Sequence, residues 1–474
     1  MMTELRGEPL EIASDSGAAR AHSSFRGRIG VARGEITPPV GIYARNWGAA
    51  AQDVAASIHR PLTLTALTLA VDLESSPLVL IDADLGWWRP LAVFKQMQRR
   101  LLESLGLESS RLIFALTHTH AAPPLAEADP LWPGGDLLAD WLETVFQTAV
   151  ATVKGALENA SEAILDWHTG RCQLACVRDY PDPAPGANRL LCGYNPNGHA
   201  DDTLLVGRIS DQDGSLRASL VNYACHATTL AWENHAISPD FVGAMRETIA
   251  AATRGAPALF LQGASGDLAP RYQYVGDTSI ADRHGRGLGF AALATLEAMQ
   301  PAGTRLAFHT AVESGAPLAV WRPEPVDVSN VLRVAETSVD LRLKNWPSAD
   351  ELEQQRLSSG DRALEERLRR KRDIRRQLGD GNTYALPITA WRIGDAVLIG
   401  CMAECYSQLQ RQLRQRFPDR AVICVNLING SIGYLPPADL YDADVYQVWQ
   451  TPFARGSLER TTNAMVATIE RLFD

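Results

Sequence analysis

Short, continuous apolar runs alternate with segments of helical period through most of this chain. The runs at 62–71, 78–81, 112–116, 219–224, 258–262, 396–399 and 421–426 are too short for helices and apolar almost throughout, which predicts strands, most of them buried on both faces. Apolar residues recur at helical spacing over 91–105, 137–157, 240–254, 280–299, 405–416 and 456–472. The alternation predicts an α/β fold: a layered αβα catalytic domain with helices packed on a large, mostly buried mixed sheet. Folded structure should begin near Gly30, where GVARGEITPP reads as a strand running into a proline turn. Residues 1–27 are polar and read as a loose arm ahead of a single domain at 28–474.

Two stretches depart from the alternation. Residues 170–200 are rich in Pro, Gly and Asn and read as a long loop of the kind that covers a site. Residues 314–386 are strand-like and then strongly charged, which predicts an excursion from the main sheet, helical over about 345–380. Its basic run, Arg367 to Arg376, lies in a stretch that also carries Glu351, Glu353, Glu365, Glu366 and Asp373, and reads as a solvated helix face.

Composition narrows the function. The 474 residues carry 45 Lys and Arg against 55 Asp and Glu, a net charge of −10, which argues against a nucleic-acid partner and for a small-molecule substrate. No run approaches the roughly 18 apolar residues of a membrane span, and the first 30 residues hold no apolar targeting segment, so the expected location is the cytoplasm. The seven cysteines are odd in number and scattered among apolar residues, and read as reduced core thiols; neither Cys172/Cys176 nor Cys401/Cys405 has a matching CxxC pair to make a metal site.

The candidate chemistry follows the strands. LIFAL leads into Thr117-His118-Thr119-His120, LVNYAC into His226, ALFLQ into Gly263-Ala264-Ser265-Gly266-Asp267, AVLIGCMA into Glu404 and CVNLINGSIG into Tyr434. In α/β sheets ligands bind beyond the carboxyl ends of strands, so these groups are expected to converge on one crevice. Two His, a Glu and a Tyr make a plausible zinc shell, because zinc takes imidazole nitrogen and carboxylate oxygen and leaves one position open in catalytic sites. If the strand continues through them, His118 and His120 share one face.

At these residues the chain resembles the neutral, non-lysosomal ceramidase family, and its short bacterial members in particular. The resemblance runs through ARGEITPP, THTHAAPP, VRDYPDP, NYACHATT, HAISPDFVG, LFLQGASGDLAPR, CMAE and GYLPPADLYDADVY, about residues 30 to 450. It implies a zinc-dependent hydrolase that cleaves an amide bond with metal-activated water, with His118, His226, Glu404 and Tyr434 as zinc ligands. It also implies that His120, Arg178 and Tyr446 surround the scissile amide. His120 or Asp267 is expected to act as general acid or base, and Arg178 and Tyr446 to stabilise the oxyanion. Two departures matter: Ala269 stands where the family's GDVSP motif carries serine, and the chain after Tyr446 has room for one helix but not for the immunoglobulin-like domain of longer ceramidases. Ala269 removes acyl-serine chemistry and leaves open a metal-binding pseudoenzyme, or the same centre acting on another soluble ester or sugar derivative.

Other motifs have plainer readings. Asp240 reads as a helix N-cap, His235 as polar surface, and Asn188/Arg189 as a second basic contact in the 170–200 loop. Asp84, Trp87 and Trp88 sit at a strand end, a position for pocket wall, with core packing the plainer reading for the two tryptophans. Gly285-Arg286-Gly287-Leu288-Gly289 follows no strand, so it does not read as a dinucleotide loop.

Overall fold

The structure, a computed structural model, describes residues 22–379 and 381–474. The expected arm at 1–27 falls largely outside them; its last residues are already in a strand, Ser24–Glu35. An eight-stranded mixed sheet has the spatial order Ala258–Gln262, Leu216–Tyr223, Thr203–Ser210, Ser161–Arg171, Ser24–Glu35, Thr63–Ala70, Leu78–Ala83, Leu112–Leu116. The pairs at its two ends are parallel and the rest antiparallel.

The mixed sheet and its helices match the expected α/β class, but two sheets rather than one lie between the helical layers. The second contains Leu332–Arg342, Thr383–Ile393, Ala396–Cys401 and Val422–Val425. Side-chain alternation shows the stacking. Leu67, Leu69, Leu78, Leu80 and Ile113 of the large sheet pack with Trp391, Leu398 and Ile423 of the small one. Their neighbours Leu64, Ala66, Val79, Ile81 and Phe114 face the other way, onto helices Leu91–Leu105 and Leu137–Glu158. At the far edge Leu204, Val206, Val221 and Phe260 pack on helices Phe241–Ala252 and Thr278–Glu297. Val397, Ile399 and Val422 pack with helices Ser407–Arg416 and Ser457–Phe473. Burial on both faces is why these strands read as continuous apolar runs instead of alternating ones.

The Gly285–Gly289 motif lies inside helix Thr278–Glu297, as its lack of a preceding strand implies. Its glycine serves packing: a Cβ on Gly285 would stand 2.1 Å from the Phe241 carbonyl oxygen of the facing helix. The 170–200 segment contains the short strands Ala175–Val177, Asp179–Pro181 and Arg189–Cys192, so it is more ordered than a simple loop. Thr304–Glu313, just before the predicted excursion, and Pro317–Pro325, within it, form a separate, largely exposed ribbon; Leu332–Arg342 of the same segment belongs to the small sheet, and helices Ala349–Leu357 and Arg362–Leu378 follow before the chain returns to that sheet. Among the described residues no helix is long and apolar enough to cross a membrane.

The large sheet is coiled enough that its two edges meet. Phe260 N, on one edge strand, donates to Asp82 Oδ2 beside the other edge at 2.8 Å. The loop leaving Val422–Val425 bridges the same seam: Asn426 N reaches Gln262 O at 2.9 Å and Asn429 N reaches Phe114 O at 3.0 Å. The carboxyl ends of strands 112–116, 216–223, 258–262 and 422–425 are therefore gathered at one place. Leu398, at the centre of the contact between sheets, is 1% exposed. Leu398→Ala should cost about 2–5 kcal/mol of stability through lost burial and a residual cavity. Chemical denaturation checks this, and a loss below about 1 kcal/mol would mean the contact between sheets is not a packed core.

Candidate metal centre

The seam brings His118, His226 and Glu404 together. Strand Leu112–Leu116 stops before the THTH motif, and His118 turns into left-handed backbone with φ of 62°. The expectation that His118 and His120 share a face by strand alternation is therefore wrong in its reason, because the strand does not continue. The turn nevertheless brings the two rings close, with their Nε2 atoms 3.4 Å apart.

Backbone carbonyls hold both buried imidazoles by Nδ1. His118 Nδ1 lies 2.9 Å from Gly86 O, and His226 Nδ1 lies 2.7 Å from Ser265 O and 3.1 Å from Leu268 O. A carbonyl only accepts, so each Nδ1 carries the proton and each Nε2 presents a lone pair. Both lone pairs meet Glu404 Oε2, at 2.9 Å from His226 Nε2 and 3.4 Å from His118 Nε2. Burial lowers the His226 pKa to about 4, with Arg178 adding to the effect, so the ring is neutral. Two neutral imidazole nitrogens and a carboxylate oxygen aimed at one point form a donor set that a cation would satisfy, and zinc fits its chemistry. The ligand atoms of His118, His120 and His226 also lie within 4.8 Å of one another, so His120 is within reach of the same ion.

The other expected residues sit around this point. Tyr434 pairs in register with Glu404 in a short parallel ladder, and its ring stacks near His226 at 6.5 Å. Burial, with the Glu404 charge adding, pushes the Tyr434 phenol well above its ordinary value. Arg178 is buried, donates from Nε and Nη2 to Gly266 O at 3.1 and 2.7 Å, and has its Cζ 5.5 Å from the Tyr434 ring. Tyr446 faces Tyr434 at 5.5 Å and accepts from Arg370 Nη1 at 3.3 Å. His120 contacts the rings of Trp47 and Trp87, and its buried Nδ1 has no partner among the described residues.

Asp267 is placed differently from an acid or base beside the centre. Its two oxygens accept from Ser407 N at 2.6 Å and Ser407 Oγ at 2.7 Å, capping helix Ser407–Arg416. Ala269 is fully buried opposite Cys176 in a two-stranded ladder. The Ser265 hydroxyl accepts from Gln262 Nε2 at 2.9 Å, while its carbonyl orients His226. Asp240 caps helix Phe241–Ala252 by accepting from Phe241 N at 2.6 Å, and Asp84 is ion-paired to Arg246 at 2.6 Å; both are structural. His235 and Arg189 are exposed, Arg189 paired with Asp182 at 2.6 Å.

The solvated-face reading of Arg367–Arg376 does not hold. One side of helix Arg362–Leu378 closes the centre: Arg370, Asp373, Ile374 and Gln377 line a cavity of about 60 Å³ with His118, His120, Glu404, Tyr434 and Tyr446. Glu366 is 4% exposed and takes Arg89 at 3.1 Å, Arg370 at 2.8 Å and Arg369. Arg89 and Arg370 flank the Trp87 indole, with Cζ 4.5 and 5.0 Å from its ring centroid. A row of charges at helical period is the same in sequence whether it faces water or a pocket; the only hint was Glu366 four residues before Arg370.

Burial alone would raise Glu366, but Arg370, Arg369 and Arg89 outweigh it and bring its pKa to about 2. A carboxylate depressed from 4.5 stabilises the fold fully above that pH and loses its contribution as pH falls toward 2. Glu366→Gln should therefore cost up to about 3 kcal/mol at pH 7 and much less at pH 2.5. Thermal unfolding of both forms across pH 2.5–7 measures this, and a difference that does not shrink on acidification would contradict the assignment.

No protein-family model and no curated protein matches the chain. Solved structures do. One described as a ceramidase complexed with C2 superposes with a TM-score of 0.67 at 16% identity, over 95% of this chain and 76% of that one. Neutral ceramidase from Pseudomonas aeruginosa superposes with a TM-score of 0.67 at 17% identity, over 95% and 75%. With so little identity over nearly the whole length, what is shared is architecture, and the resemblance seen in the motifs holds at that level: the chain has the fold of the neutral ceramidases.

Proposed function

We propose that this protein is a zinc-dependent hydrolase that cleaves an N-acyl amide with activated water. The observation that carries the reading is the meeting of His118 Nε2, His226 Nε2 and Glu404 Oε2, with both imidazoles locked by carbonyls in the tautomer that a metal requires. Tyr434, beside Glu404 in the ladder, completes the proposed ligand set. Zinc, when bound, supplies Lewis acidity, polarising the substrate carbonyl and lowering the pKa of coordinated water to about 7. In the net reaction the C–N bond breaks, the oxygen of water joins the acyl carbon, and protons pass to the departing amine.

The chain's own groups are suited to the remaining tasks. His120 is half-buried, and desolvation, the largest cause, holds its pKa well below the ordinary value, so the ring is neutral and can accept a proton and return it to the leaving nitrogen. Arg178 is fixed by Gly266 O and brings a permanent positive charge against Tyr434, where an oxyanion would develop. Tyr446 accepts from Arg370 and so keeps its own proton to donate. Asp267, held by Ser407, is assigned to positioning: it fixes the Gly266–Asp267 turn whose carbonyl anchors Arg178. Ala269 is no obstacle to this route, because the attacking group is water.

Purified protein should contain about one zinc per chain, and His118→Ala or His226→Ala should lose it together with at least 1,000-fold of amide hydrolysis. Metal analysis and chelator-controlled assays on N-acyl amides, esters and glycosides check both. Undiminished amide hydrolysis after complete metal removal, or turnover of glycosides only, would refute the reading.

A further inference from the structure

Three guanidinium groups converge on the single carboxylate of Glu366, and none of Arg89, Arg369 and Arg370 pairs with another carboxylate among the described residues. All three are largely buried, with side chains 9, 14 and 19% exposed. Positive charge in excess of its partners is costly away from water and favours an anion brought from outside. The excess lies at the cavity wall. Arg89 and Arg370 line the cavity over the candidate metal centre, and Arg89 also lines an adjoining cleft of about 550 Å³ with Arg369, Arg372 and Arg376, where Glu127 and Asp129 supply opposite charge. Asp373 lies in the same wall, and its Oδ1 accepts from Arg372 Nε and Nη2 at 2.9 and 2.7 Å, an arginine it shares with Glu353, so its charge is turned to Arg372 and it pairs with none of the three arginines on Glu366.

Unused donors point the same way. Arg89 Nε and Trp88 Nε1 are buried without a partner among the described residues, and both residues line the cavity. The Trp87 indole bridges the two guanidiniums and the histidines, its ring lying 5.6 Å from His118 and 4.7 Å from His120. A neutral lipid amide has no group to answer this charge.

We propose that the substrate carries an anionic group, a carboxylate or a phosphate, a few bonds from the scissile amide, bound by Arg370 and Arg89 beside Trp87. This rests on the hydrolase reading for its reaction, but the anion site itself is a separate claim. Guanidinium recognises either anion through paired N–H donors, and the short span from Trp87 to the histidines favours compact N-acyl compounds such as N-acyl amino acids over membrane ceramide.

The test uses the zinc-loaded full chain with N-hexanoylglycine, N-hexanoylethanolamine phosphate, uncharged N-hexanoylethanolamine and a short-chain ceramide. One or both anionic compounds should be hydrolysed with the higher kcat/KM, and which of the two leads identifies the anion. Inorganic phosphate should compete against the preferred one in the unmodified protein. Arg370→Gln should erase the preference by about 10- to 100-fold, chiefly through KM, and Arg370→Lys should restore part of it. The lysine form and the phosphate competition keep the result readable if the glutamine form folds poorly. Amide hydrolysis with equal or better use of the neutral compounds, or equal losses on both classes in Arg370→Gln, would overturn the anion site and leave the hydrolase reading standing. If no amide is hydrolysed, the hydrolase reading falls, and calorimetry decides the anion site. Binding of N-hexanoylglycine but not its carboxamide would uphold it, and equal binding of both would overturn it.

Discussion

Everything at the candidate metal centre depends on the closure of the large sheet on itself. Arg246 sits at the seam, with Nη2 2.6 Å from Asp82 and Nη1 2.6 and 2.7 Å from the two oxygens of Asp84, and Asp82 also accepts from Phe260 N across the gap. Two carboxylates around one guanidinium in a dry interior are favourable only when every remaining lone pair is used. Thr63 N and Oγ1 take up Asp84 Oδ2 at 2.9 Å each. Asp82 keeps part of the cost: burial raises its pKa to about 6 despite Arg246. The cluster therefore specifies where the edges meet more than it adds stability, and that place decides which strand ends become neighbours.

The imidazoles inherit their aim from this closure. Gly86, which orients His118, follows one edge region, and Ser265, which orients His226, follows the other. Neither histidine is held by an acidic side chain at Nδ1. Carbonyls fix the tautomer without adding negative charge, so the only formal charge among the three converging donors is that of Glu404. Small movements of the seam would change the Nε2 separation directly, because no flexible side chain stands between each ring and its backbone acceptor.

How much of this is legible in the sequence follows from the same physics. Strands buried on both faces advertise themselves as apolar runs, so their ends, and the residues after them, can be located without a structure. His226 and Glu404 are found in this way. Two sheets stacked face to face produce the same apolar runs as one sheet between helices, so the second sheet, with Trp391 and Leu398 in its core, is not distinguishable. Left-handed backbone at His118 leaves no mark either, because the residue is not glycine. The commitment of Asp267 to Ser407 depends on a helix 140 positions away in the chain, beyond the reach of any local pattern.

Helix Arg362–Leu378 shows the limit most clearly, and it also ties the wall of the cavity to its electrostatics. The helix buries one glutamate and makes its inward contacts largely through arginines, so it is held over the centre by charge where an ordinary helix would use an apolar stripe. Net charge of −10 for the chain says nothing about this local field. Because Glu366 holds Arg89, Arg369 and Arg370 together with a single negative charge, the group that pins the wall also sets how much positive charge the cavity retains. An acidic residue added to the wall would pin it more firmly and weaken the field by the same step; removing Glu366 would strengthen the field and release the wall. The wall of this cavity is incompletely neutralised: three arginines share one carboxylate, which holds the helix in place and leaves positive charge beside the candidate metal centre.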